Sequence, residues 1–478
     1  MSASRRRLVL FWLVVCSLGL SPVAARAQTT EVHLSVVSLN PPRLKIEGRR
    51  AAGEKAWSFR NAYAGILGLA DRIEKFSLAD EQGKGVAARK LAAGEYDAER
   101  PAVGFSYEIK LDAPVSTNHA AHVSWLAPLH GLLMPGDLLP LPLANARLRF
   151  TLPPGWQIAS LNDPTGGVID VAEAETSVFL IGADVRRLTS NVKATTFTVS
   201  VAGDWAFADR DLIEVIEPIL KEHARAVTVA PRERTHIIVA PFPRTAQPGL
   251  WSAETRGGTV TFLSGRVPAR QSALARLGDP LVHELFHLWV PNALKLSGEY
   301  DWFYEGFTLY HSLRISHRLG RLTFNDYLDA LARAHDKYLR VRESDSLSLV
   351  EASARRWGDS GALIYQKGLL TAFLFDLTLR QRTGGKRSLD DVYRELFRRQ
   401  NSRQPRDGNS AVLEALNNAL ASASFTDSFV KAPRKLDLAL ELSPFGLRVL
   451  VESGRTRIVV AEPLAGQQRA LLRQIGYN

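Results

Sequence analysis

His283-Glu284-Leu285-Phe286-His287 sets two imidazoles four residues apart with a carboxylate beside the first. On a helix, positions i and i+4 share one face, so both rings can reach a single ion. Glu284 then stands where it can take a proton from a water drawn to that ion. A catalytic divalent cation such as zinc takes three protein ligands and keeps one position open, so a third donor is needed. Residues 302–310, Trp-Phe-Tyr-Glu-Gly-Phe-Thr-Leu-Tyr, offer Glu305, a carboxylate among aromatics that needs a partner once withdrawn from water. Glu299 and Asp301 lie in the same linker and are alternative ligands. Further on, Tyr365-Gln366-Lys367-Gly368 opens the strongly apolar run 369–375. The Tyr365 hydroxyl could donate to an oxyanion or simply pack.

The elements that must position these groups are legible in outline. Asp279 as N-cap and Pro280 in the first turn predict a helix over about 279–290 that stops at Pro291. A second helix is expected over about 302–319, with Gly320 ending it. Thr323 with Asp326 and Ser388 with Asp391 resemble capping boxes that open two more. Upstream lie a helical pattern at 211–226 and strand-like runs at 235–240 and 259–263. A two-lobed domain over 206–432 follows, strand-bearing first and helical after. Before it, 28–205 alternates apolar and polar residues at 32–37, 105–111, 146–152 and 195–201, with turns at 153–155 and 164–167. That is the pattern of a β-sandwich-like domain. Residues 433–478 return to alternation and read as a short β-like tail. The fold class expected is α+β.

The chain has 478 residues, 46% of them apolar and 23% charged, which excludes a disordered, collagen-like or disulfide-stapled protein. Four of the eleven excess positive charges lie in residues 1–27, which contain no acidic residue, leaving +7 spread thinly over the remainder. No run of five or six like charges and no zinc-finger or RNA-binding signature accompanies that excess, so no nucleic-acid partner is expected. Residues 1–27 read as an export signal: Arg5-Arg6-Arg7, an apolar stretch over 8–20, and Ala25-Arg26-Ala27 before the cleavage point. Thirteen helical residues span about 20 Å, short of a bilayer core of about 30 Å, so no stable membrane anchor is expected. The mature protein would be periplasmic or secreted. Cys16, the one cysteine, falls inside this signal, leaving no disulfide and no thiol nucleophile. Oligomeric state is not legible.

The HELFHLW and WFYEGFTLY segments, with Tyr-Gln-Lys-Gly and the stretch 383–392, resemble the glycyl aminopeptidase family of gluzincin metallopeptidases, relatives of the aminopeptidase N group. The resemblance covers about 205–430. It implies a thermolysin-like catalytic domain with a helical C-terminal lobe, behind an N-terminal β domain, acting on a peptide or protein substrate. It also implies one Zn2+ per chain held by His283, His287 and Glu305, Glu284 as general base and acid, and Tyr365 as oxyanion donor. Three departures stand out. Seventeen residues separate His287 from Glu305, one fewer than in the aminopeptidase N group. Where relatives carry a glutamate that holds the substrate amine, residues 248–255 offer only Glu254, followed closely by Arg256. The family's C-terminal PDZ domain is absent or reduced to the tail. The activity expected is therefore that of an aminopeptidase. An endopeptidase of the same fold, or a zincin-like peptide- or partner-binding protein without turnover, is the alternative.

Overall fold

The computed structural model describes residues 29–342, 345–356, 358, 360–400 and 405–477. The expected export signal lies outside these residues.

Three sheets stack in sequence from the N-terminal end of the chain to the metal motif. The first is a large sheet whose path runs Val168–Val171, Asn145–Thr151, Thr29–Leu39, Pro42–Ser58, Glu95–Lys110, Ile73–Ala79 and Gly85–Val86. Alternation along these strands turns Val32, Leu34, Leu44, Ile46, Phe105 and Tyr107 inward. They meet Leu133, Phe179 and Ile181 from a four-stranded sheet built of Gln157–Ala159, Phe179–Gly182, His130–Leu133 and Trp125–Leu126. Two sheets sharing one core give the sandwich-like N-terminal domain.

The four-stranded sheet is covered on its other face too. Trp125, Leu132 and Leu180 pack against Ile238, Ala240 and Leu263 of a third, five-stranded sheet. Its order is Arg186–Val192, Thr195–Val201, Arg234–Pro241, Thr259–Ser264 and, antiparallel at the edge, Trp251–Arg256. The strand Thr195–Val201 pairs in parallel with Arg234–Pro241. The strand 195–201, expected with the N-terminal domain, thus belongs to this third sheet, as does Arg186–Val192, so the boundary near 205 cuts through it. The alternation at 195–201 shows that one face is buried, but it carries no information about which sheet recruits the strand.

Phe197, Val199, Ile237, Val239, Val260 and Phe262 line the opposite face of the third sheet and pack on the helices. These are α1 (Asp209–Val227), α2 (Arg270–Phe286), α3 (Thr308–Arg318), α4 (Phe324–Leu339), α5 (Gly361–Thr383), α6 (Leu389–Arg398) and α7 (Gly408–Leu420). Thr323 caps α4 and Ser388 caps α6, each in a box with the aspartate three residues on. The α5 helix is long and apolar enough to cross a membrane, but 78% of its apolar window is buried inside the protein, which makes it the central helix of this lobe. In the C-terminal tail, a hairpin of Leu447–Glu452 and Arg455–Val460 precedes a helix, Gly466–Gln474. Leu447, Ile458, Leu471 and Leu472 join the catalytic core, and Asp336 of α4 accepts the Thr456 backbone N–H at 2.8 Å. The tail is thus packed as part of the helical lobe.

Candidate metal centre and active site

The metal motif lies at the end of its helix. Asp279 and Pro280 are not at an N-terminus, as their residue types suggest, but inside α2, which begins nine residues earlier at Arg270. Ala273, Leu277 and Leu281 recur at helical spacing and are buried, and that burial carries the helix through the hydrogen bond Pro280 cannot make. His283 occupies the last turn, and His287 is the C-cap in helical conformation. Both imidazoles therefore still share a face.

His287 Nδ1 lies 2.8 Å from the Val290 carbonyl, which can only accept, so the proton sits on Nδ1 and the Nε2 lone pair is free. That Nε2 is 3.0 Å from His283 Nε2. Glu305 Oε2 lies 3.4 Å from the first imidazole and 3.5 Å from the second. Three ligand bonds of about 2.0–2.1 Å at tetrahedral angles would set their donor atoms about 3.3 Å apart. The triangle found here has that size, and the seventeen-residue spacing does not prevent it. Of the alternatives, Glu299 is exposed, and Asp301 turns its carboxylate to Arg356 at 2.7 Å. Burial opposes the charge on Glu305, but the two histidines it faces and the Arg356 guanidinium outweigh it. They hold its carboxyl well below the usual carboxylate range. The donor set suits zinc.

Glu305 sits in a π-helical turn, Trp302–Phe307, that runs directly into α3. Such widened turns recur at functional sites because they re-aim a side chain. Gly306 lies so close to Gly368 on α5 that a Cβ on Gly306 would stand 2.6 Å from the Gly368 Cα. This contact brings Tyr365, one turn earlier on α5, beside Glu305. Burial, joined by the Glu305 charge, raises the Tyr365 hydroxyl and keeps it protonated. Lys367, in the same motif, points away from the cleft and donates to the Arg434 carbonyl at 2.8 Å.

Glu284, next to His283 on α2, is buried and lines the same cavity as the imidazoles. The Thr255 hydroxyl lies 3.1 Å from its Oε2 and 2.8 Å from its backbone carbonyl. Asn292 bonds the His287 carbonyl at 2.9 Å and, through its Oδ1, the Gly257 N–H at 2.7 Å. The edge strand and the metal helix are thereby held as one wall. Glu254, the residue before Thr255, takes hydrogen bonds from Tyr63 of the N-terminal domain and from Arg256 Nε at 2.9 Å, and His122 Nδ1 is 3.2 Å away. Burial works against its charge, and Arg256, His122 and Tyr63 prevail, so its carboxyl is lowered. One cavity of about 890 Å3 is lined by Glu254, Thr255, His283, Glu284, His287, Glu305, Arg356 and Tyr365. Arg356 and Thr255 were not legible in the sequence. An arginine between two short elements and a strand threonine carry no motif.

Residues 279–370, which span the metal helix, Glu305 and Tyr365, match the family model of the M61 glycyl aminopeptidases. The metal segment is thus similar to that family. Among curated proteins no sequence matches. Solved structures do. An aminopeptidase N family protein from Idiomarina loihiensis superposes with a TM-score of 0.76 at 18% identity, over 89% of this chain and 79% of that one. The M1 zinc metallopeptidase from Deinococcus radiodurans gives 0.56 at 15% identity, over 86% and 95%. A mutant of the latter, crystallised with a Tyr-Ser-Ala substrate, gives 0.57 at 16%. At such identities the likeness establishes the fold alone, and the match to the glycyl aminopeptidases is confined to the segment that carries the metal motif, Glu305 and Tyr365.

Proposed function

We propose that this glycyl aminopeptidase relative is an exported zinc peptidase that removes residues from the free N-terminus of peptides. The observation that carries the reading is the shared cavity, with the three-donor cluster, Glu284, Tyr365 and the buried carboxylate of Glu254 on one wall system. Export rests on the sequence of residues 1–27.

Zinc, when bound by His283, His287 and Glu305, supplies Lewis-acid chemistry that acidifies water and polarises a carbonyl. The chain's own groups do the rest. The Glu284 carboxylate, with the Thr255 hydroxyl beside its Oε2, accepts the proton of the attacking water and returns it to the departing amine. Tyr365, protonated and fixed at the cleft, donates to the substrate oxygen as negative charge develops there. Glu254, next to Thr255 along the edge strand, lines the same cavity and is the carboxylate available there to a substrate ammonium. A buried carboxylate suits that cation because burying it unpaired costs several kcal/mol.

A second reading draws on Arg256. Its guanidinium already neutralises Glu254, an arrangement that weakens amine recognition and suits internal cleavage. The two readings separate with one peptide presented free and N-acetylated. The aminopeptidase reading expects acetylation, and Glu254→Ala with the free peptide, each to abolish cleavage. Internal cleavage of the acetylated peptide at a similar rate would overturn it in favour of the endopeptidase.

A further inference from the structure

We propose that Arg356 is the positioning residue of this site, selecting which Glu305 oxygen faces the imidazoles and turning the Tyr365 hydroxyl toward the cleft. The inference rests on the zinc peptidase reading above and deepens it.

Arg356 lies just past the short helix Leu349–Ser353, outside every segment that carries a motif. Its Nη2 is 2.7 Å from Glu305 Oε1 and 3.2 Å from the Tyr365 hydroxyl. Its Nη1 is 2.7 Å from Asp301 Oδ1 and 2.6 Å from the Tyr304 hydroxyl. One planar guanidinium thus joins two buried carboxylates and two tyrosines. A lysine could not do this, because its ammonium is a point charge without the fixed fork.

Two consequences follow from donor and acceptor bookkeeping. The Glu305 carboxylate is divided: Oε1 is held by Arg356 and Oε2 faces both histidines. Oε2 is then the oxygen that a metal between the histidines would take, and a second partner that fixes a ligand in this way commonly sets metal affinity. The tyrosines are oriented as well. Arg356 can only donate, so the Tyr365 oxygen accepts from it and its own proton must point elsewhere. Tyr304 shows the same logic completed: it accepts from Arg356 and donates to Asp301. For Tyr365 the open direction is the cavity that both residues line. The guanidinium also sets a fixed positive charge beside the Tyr365 hydroxyl that would meet the oxyanion.

The test uses the full mature protein with Arg356→Gln and Arg356→Lys, each alone and combined with Tyr365→Phe. Zinc affinity is read by competition with a chelator, and kcat and KM on an unblocked peptide. We expect Arg356→Gln to lower zinc affinity by about 10–100-fold. At saturating zinc it should lower kcat by about 100-fold with KM within threefold, and the kcat loss should shrink below about tenfold in the Tyr365→Phe background. Arg356→Lys, which retains charge and bulk for folding, should recover less than half of the loss on a logarithmic scale. Unchanged zinc affinity, or a kcat loss that is fully additive with Tyr365→Phe, would overturn the proposal. If the unmutated protein cleaves no peptide, the peptidase reading fails on its own. Chelator competition then decides the Glu305 half of the inference.

Discussion

Gly306 and Gly368 lie back to back, and neither can carry a side chain. A Cβ on Gly368 would stand 2.9 Å from the Gly306 Cα and 2.9 Å from the Trp302 carbonyl oxygen. The helix bearing Glu305 and the helix bearing Tyr365 are thereby held at a distance that only two hydrogens allow. In each motif the glycine is what lets a chemically active neighbour reach the common cleft.

Gly368→Ala should therefore damage both stability and chemistry. Forcing a methyl into this contact is expected to cost about 1–3 kcal/mol and to move Tyr365 away from Glu305. Chemical denaturation and kcat measure the two effects. Gly466→Ala, where a Cβ meets nothing within 4 Å, is the control and should leave both unchanged.

Removal of any one of the three donors should empty the metal site. The purified mature chain is expected to hold about one zinc, and His283→Ala, His287→Ala or Glu305→Ala to lose most of it. Glu299→Ala should retain it, because that side chain is exposed and outside the cluster. Elemental analysis after dialysis decides. Retention of full zinc by Glu305→Ala would point to another ligand.

The proton shuttle and the oxyanion donor should fail without loss of metal. Glu284→Gln is expected to keep zinc and lose at least about a hundredfold in turnover. Tyr365→Phe should lose roughly 10²–10³ with little change in KM. Thr255→Val removes only the hydroxyl that holds the Glu284 carboxylate, and about a tenfold loss is expected. Steady-state kinetics beside zinc content separates these outcomes from metal loss.

Acid should destabilise the catalytic sheet through His236. This imidazole is fully buried, 2.8 Å from Ser200 Oγ, and burial, with the Arg187 charge adding to it, lowers its pKa to about 3. Below its ordinary value near 6.5 the unfolded chain gains a proton that the folded chain refuses, so stability falls as pH drops from about 6.5 toward 3. By pH 5 the loss amounts to about 2 kcal/mol relative to pH 7. Urea denaturation across this range should show a slope that His236→Gln reduces. An unchanged slope would mean that His236 titrates normally.

The groups that do chemistry were legible because their spacing is short and local. His283 and His287 share a face by helical periodicity, with Glu284 beside the first, and Glu305 stood out as a carboxylate amid aromatics. Tyr365 needed the likeness of its surrounding motif, since a lone tyrosine in an apolar run is indistinguishable from packing. The capping boxes at Thr323 and Ser388 were readable for the same local reason.

What the sequence alone did not determine lies in contacts between segments distant along the chain. Asp279-Pro280 carries every local sign of a helix start, yet the burial of Ala273 and Leu277 extends α2 upstream of it. The strand Thr195–Val201 alternates as any half-buried strand does, and only its pairing with Arg234–Pro241 assigns it to the catalytic sheet. Glu254 meets Tyr63 across 191 residues, and Arg356 reaches Glu305 across 51. Residue type and periodicity determine which groups can bind metal or move protons, because those properties belong to the side chain and its own helix. Which group faces which charge is decided by packing, because a hydrogen bond depends on atoms brought within about 3 Å, however far apart they are in the chain.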